Sequence, residues 1–116
     1  MALPEIVRSS ALRKLDAYCE RRAPAHIHGE VRVQARVRGD KITIVERRAP
    51  WRPDYGPEWT ECKVAQIAFH AAMRTWELFA YDRNERRIDY PFLLPTRDLD
   101  AVIDELERDP ICIFTR

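Results

Sequence analysis

The sequence predicts an α+β fold: a single antiparallel sheet of about five strands in meander order, with an N-terminal and a C-terminal helix, in one domain spanning residues 1–116. Three observations predict it. Apolar and polar residues alternate from Val31 to Arg48, the period of strands with one buried and one wet face. Two further apolar runs, Glu61 to Phe69 and Thr75 to Tyr81, follow with a short connection between them. Apolar stripes at helical spacing occupy both ends of the chain. A chain of 116 residues can bury one core without disulfides or metal.

The first helix begins at Pro4 and Glu5, where proline's missing N–H is no loss and a carboxylate meets the positive end of the helix dipole. Val7, Ala11, Leu12, Leu15, Tyr18 and Cys19 form its apolar stripe up to about Glu20, and Arg8, Arg13, Lys14 and Arg21 lie mostly on a solvated face. Ala23-Pro24-Ala25 ends it and starts an extended segment. There His26 and His28 project to one side, as half of a metal site would; no third ligand has a supporting spacing, so no metal is assigned.

In the hairpin, Val31, Val33, Ala35 and Val37 alternate with Arg32, Gln34, Arg36 and Arg38. Gly39-Asp40 suits a type II′ turn. The register that follows sets Arg38 opposite Lys41, Arg36 opposite Thr43, Gln34 opposite Val45 and Arg32 opposite Arg47 on the polar face, with Val37 opposite Ile42 and Ala35 opposite Ile44 on the apolar face. Two of those pairs place like charges directly across from one another, which costs stability unless an anion lies nearby. The anion comes either from another molecule or from carboxylates of the same chain.

Residues 49–59, APWRPDYGPEW, form a connection of unusual length rich in proline and aromatics. Trp51, Tyr55 and Trp59 either fold back over one sheet face and close the core or, in the alternative, Trp51 and Tyr55 with Arg52 offer a stacking platform beside the basic sheet. After Tyr81, Asp82-Arg83-Asn84-Glu85 is a turn leading to a fifth strand near Arg86 to Tyr90. Apolar groups on both faces of the 75–81 strand place it centrally, with a helix on one side and partial cover on the other. Thr96 is the expected N-cap of the second helix, with Asp98 and Asp100 in its first turn and Leu99, Val102, Ile103 and Leu106 as its stripe. Asp109-Pro110 ends it, and Ile111 to Phe114 packs as an extra strand or plug.

Net charge is +1, but residues 1–58 carry 12 basic against 8 acidic residues and residues 59–116 carry 8 against 11. The basic character is local to the first half. Three cysteines, Cys19, Cys62 and Cys112, form no disulfide pattern and indicate a reducing cytoplasm. The N-terminus has no signal-peptide pattern, and no apolar stretch has the length of a membrane span.

Four segments carry a family resemblance: ERRAPWRP (Glu46 to Pro53), VAQIAF (Val64 to Phe69), WELFAYDRNERR (Trp76 to Arg87) and DPICIF (Asp109 to Phe114). Together they resemble the small bacterial domain-of-unknown-function family numbered 3024. The resemblance covers nearly the whole chain, implies a stand-alone bacterial domain and brings no activity. Where such sequences often have a glycine in the turn, this chain has Glu85.

The residues themselves suggest a small non-enzymatic binding domain. There is no glycine-rich phosphate loop and no Gly-x-Ser-x-Gly elbow. No cofactor is indicated. In the first reading Arg32, Arg36, Arg38, Lys41 and Arg47 neutralise nucleic-acid phosphates while Trp51 or Tyr55 stacks a base. In the second the same face meets an acidic protein or a second copy of the chain, with the aromatic loop as anchor. A third is a metal-dependent nuclease built from Glu46, Asp54, Glu58, Glu61 and Asp82. Glu46 falls on the apolar face beside Arg48 and needs a partner; a structural ion pair with Arg48 or Arg83 is the expectation.

Overall fold

The computed structural model of the protein describes residues 3–50, 52, 54 and 56–114. Helix α1 (Glu5–Arg22) leads through a short 3-10 turn (Ala25–Ile27) into strands β1 (Val31–Arg38), β2 (Lys41–Arg48), β3 (Thr60–His70), β4 (Thr75–Tyr81) and β5 (Arg87–Asp89), and helix α2 (Leu99–Arg108) follows. The strands pair antiparallel in chain order, so the sheet is the expected meander and the class is α+β. The hairpin register is the one the turn dictates, from Arg38 opposite Lys41 to Arg32 opposite Arg47. Gly39 takes the positive φ, 62°, that this turn needs and a side chain resists.

Both helices pack on one face of the sheet. Ala11, Leu15, Tyr18 and Cys19 of α1 and Leu99, Val102, Ile103 and Leu106 of α2 meet the inward residues of the strands, among them Ile42, Ile44, Ile67 and Leu78. The basic flank of α1 is joined to the acidic α2: Lys14 Nζ donates to Asp100 at 3.2 Å, and Arg21 donates to Glu107 from two guanidinium nitrogens.

Several local expectations give way. His26 and His28 lie in and just after a 3-10 turn rather than on an extended segment, so their side chains do not project together; His28 Nε2–H donates to the Ala23 carbonyl at 2.8 Å. The N-cap of α2 is Asp98, whose carboxylate accepts from the Asp100 amide at 3.0 Å. Thr96 instead forms an isolated β-bridge with Trp76, beyond the short β5. That extra pairing extends the ladder on the side of β4 that three residues cannot cover. The last residues form a plug: Phe114 is fully buried against Tyr90, with ring centroids 5.0 Å apart. Among the described residues, no helix is long and apolar enough to cross a membrane.

A register shift between Ile44 and Val45 inserts one extra residue, Val64, into β3, since Ile44 pairs with Ala65 but Val45 with Lys63. Val64 turns into the core, and every residue before it changes face. Glu61 thereby comes opposite Arg47, and Cys62 opposite Glu46.

Candidate functional site

The other face of the sheet carries no helix among the described residues. Its side chains follow from the pairing: Arg32, Arg36 and Arg38 on β1; Lys41 and Arg47 on β2; Lys63 on β3; Arg87 on β5. These seven cations face three strand carboxylates, Glu61, Glu77 and Asp89, so the excess of positive charge belongs to this surface.

The like-charged pairs are relieved by three devices. Arg32 stacks on Trp59, its guanidinium carbon 4.9 Å from the ring centroid, and Arg47 approaches the same ring at 5.9 Å. Glu61, brought over by the bulge, accepts from Arg36 at 2.6 Å and lies 3.9 Å from Arg47. Lys41 bonds Asp40 in the turn at 3.1 Å. The Arg36 hydrogen bond holds the Glu61 carboxyl below its usual range. Arg38 is exposed and forms no ion pair among the described residues.

These bonds leave the surface accessible. Arg36 and Glu61 are each about half exposed, at 48% and 41%, and exposed pairs of this kind contribute about 0–1 kcal/mol. An anion of higher charge density can therefore displace Glu61 at small cost.

Beyond the hairpin the same face carries aromatic rings beneath cations. The Arg87 guanidinium lies 4.2 Å from the Phe79 ring centroid, and Lys63 Nζ 5.4 Å from that of Tyr81. This is how β4 hides apolar groups on its outward side. Arg87 also donates to Gln66 Oε1 at 2.9 Å, while Gln66 Nε2 donates to Thr43 at 3.0 Å. Burial raises the Tyr81 phenol above its ordinary value, against the hydrogen bond with Thr43 that lowers it.

Among the residues expected from sequence, Arg32, Arg36, Arg38, Lys41 and Arg47 share this surface. Trp51 and Tyr55 lie outside the described residues. Arg52 is exposed in the long connection and pairs with Asp54 at 3.2 Å. Trp59, Lys63 and Arg87 also belong to the surface, and the hairpin pattern does not point to them. Trp59 is visible in the aromatic loop, whereas Lys63 reaches this face through the bulge.

Glu46 is buried on the inner face at 4% exposure. It accepts from Arg48 Nε at 3.1 Å, and the second guanidinium is that of Arg22 on α1, 3.8 Å away. Arg83 is exposed in the β4–β5 turn. Arg22 also donates to the Tyr18 hydroxyl at 2.9 Å and to the Phe114 carbonyl at 2.6 Å, so this buried polar node ties α1, the sheet and the C-terminal plug together. The nuclease carboxylates are divided, Glu46 inside and Glu61 outside. Among the described residues no group of three or more His, Cys, Asp and Glu is placed to hold a metal ion.

No curated protein and no solved structure compared with the chain matches it. The model of one family, a domain of unknown function (DUF3024), matches residues 3–116. With the match running through every strand and helix described above, the chain belongs to the DUF3024 family.

Proposed function

We propose that the protein is a non-enzymatic, cytoplasmic binding domain whose helix-free sheet face holds nucleic acid. The observation that carries the reading is the set of seven cations against three carboxylates on that face, with Arg38 opposite Lys41 and Arg32 opposite Arg47. A row of phosphates relieves such opposition better than one shared carboxylate does. Trp59, between Arg32 and Arg47, supplies an aromatic surface within reach of the same cations.

The test is a salt titration with labelled single-stranded and duplex DNA and RNA. Replacing Arg32 and Arg36 by Glu weakens binding across sequences and flattens the slope of log affinity against log salt by about 0.7–0.9 for each phosphate no longer neutralised. Glu61→Gln, which releases Arg36 and Arg47, strengthens binding. No detectable binding at about 50 mM salt, where phosphate contacts are strong, overturns the proposal. The same salt slope with polyglutamate and none with nucleic acid reassigns the face to acidic proteins.

A further inference from the structure

Among the described residues the outer edge of β1 pairs with no other strand: β1 stands at the end of the strand order, and its ladder runs on one side, to β2. Which backbone groups face the free edge follows from the hairpin. In a two-residue loop the flanking pair, here Arg38 and Lys41, is hydrogen-bonded, and bonding alternates from there along the strand. Arg36, Gln34 and Arg32 therefore bond β2, and the N–H and C=O groups of Val33, Ala35 and Val37 point outward. These are three consecutive donor–acceptor sets at the spacing that an added strand requires.

Beside that edge runs a groove of about 510 Å³ between α1 and β1. Its floor is formed by Cys19, Val33 and Ala35, and its α1 wall by Asp16 and Glu20. Val33, Ala35 and Val37 are only partly buried, so the groove offers an apolar strip next to backbone groups that no described strand pairs. Arg32 and Arg36 line the groove as well, and with Arg38 they alternate to the opposite face of the strand from Val33 and Ala35.

We propose that this edge receives an extended peptide segment of another protein as a sixth strand. The segment carries carboxylates at alternate positions, toward Arg32, Arg36 and Arg38, and apolar or basic residues at the intervening positions, toward the groove floor and the carboxylates of α1. Pairing residues of the same face across two strands rewards opposite charges and penalises like ones. That rule also disfavours a second copy of the chain paired over the full length of the strand. Two β1 strands paired antiparallel about Ala35 would set Arg32 against Arg38 twice, and a shift to Val37 about itself would set Arg36 against Arg38. The proposal shares Arg32, Arg36 and Arg38 with the nucleic-acid reading and differs from it in using the backbone of the edge, so amide protection and Ala35→Pro separate the two.

The probe is a labelled eight-residue peptide alternating Glu and Val, read by fluorescence anisotropy, with the scrambled and the Lys–Val peptides as controls. The Glu–Val peptide binds and the controls do not. Amide exchange of the intact protein, followed by NMR, slows on binding at Val33, Ala35 and Val37, while Gln34 and Arg36, already bonded to β2, change little. Ala35→Pro removes a donor that β2 does not use and lowers affinity by about tenfold or more, while nucleic-acid binding by the outer face is retained. Arg36→Glu weakens the peptide as well, and its measurement serves if the proline variant does not fold.

Binding without slowed exchange at those three amides overturns the proposal, as does the absence of binding. A dimer in sedimentation with the same amides protected before peptide is added also overturns it and assigns the edge to a second copy. Loss of nucleic-acid binding with peptide binding intact would sink only the function proposed above.

Discussion

Two side chains depart from what their positions in the chain ordinarily hold. Glu46 is a carboxylate in a core of valines and isoleucines, tolerated because Arg48 and Arg22 both reach it. Removing one partner of a buried pair leaves the other charge without compensation, so Glu46→Ala should destabilise by about 3 kcal/mol and Glu46→Gln, which still accepts from Arg48, by about 1–2 kcal/mol. Urea unfolding midpoints at neutral pH measure both. Glu85 occupies the left-handed region, φ 62°, which favours glycine, in the turn between β4 and β5. Its carboxylate accepts from the Lys63 amide at 2.8 Å, next to the bulge, which gives the side chain a reason to be there. Glu85→Ala removes the bond and keeps the strain; Glu85→Gly removes the bond and relieves it. The glycine variant should be the more stable of the two by about 1 kcal/mol in the same assay.

Each element holds through its ends as much as through its stripe. The C-terminal plug has no strand or helix of its own, yet Asp109, in the left-handed C-cap of α2, accepts from the amides of Ile113 and Phe114 at 2.8 and 3.0 Å. Arg22 holds the Phe114 carbonyl from the other side. Phe114→Ala should cost about 3–5 kcal/mol, the range for emptying a buried aromatic site. Asp109→Ala should cost about 1–2 kcal/mol through the same segment, and the double variant should cost less than the sum, because each change already frees the tail. Thermal unfolding by circular dichroism reads all three. The nearby Tyr90 phenol is raised well above its ordinary value, by burial first and then by its hydrogen bond to Glu105, so it stays protonated while the plug is seated.

Across the molecule, charge is sorted by layer. The acidic C-terminal half spends Asp100 and Glu107 on α1, away from the open sheet face, and sends Glu61 alone of its β3 residues onto the basic stripe as a carboxylate. Acid should therefore destabilise the fold through a small set of carboxylates. Glu61 is held below its usual value near 4.5 chiefly by its hydrogen bond from Arg36. Asp82 is held below 3.8 first by the Arg86 amide, and Asp40 below 3.8 first by Lys41. A depressed carboxyl contributes stability above its unfolded value and loses it as pH falls through the folded one. The urea midpoint should thus fall as pH drops from about 5 to 3, and less steeply in Arg36→Gln. An identical acid limb in that variant would remove Glu61 from the account.

The hairpin was legible in full. Its alternation and its Gly39-Asp40 turn are local, and a period of two leaves one register that buries Val37, Ala35, Ile42 and Ile44 together. The helices were legible for the same reason, with Asp98 in place of Thr96 as the cap because Thr96 was drawn into pairing with Trp76. The family membership, too, lay in short motifs spread along the chain. What no local pattern carried was the occupant of the basic face. Counting by twos from Ala65 puts Lys63 and Glu61 inside; the extra residue at Val64, selected by the fit of β3 to β2, puts both outside. One bulge thus decided that Arg36 meets Glu61 and that Glu46 meets Cys62 and Arg22 rather than Lys63. A sequence specifies periods, whereas a bulge is a property of two strands packed together, and so only the tertiary structure could show how far the stripe is neutralised.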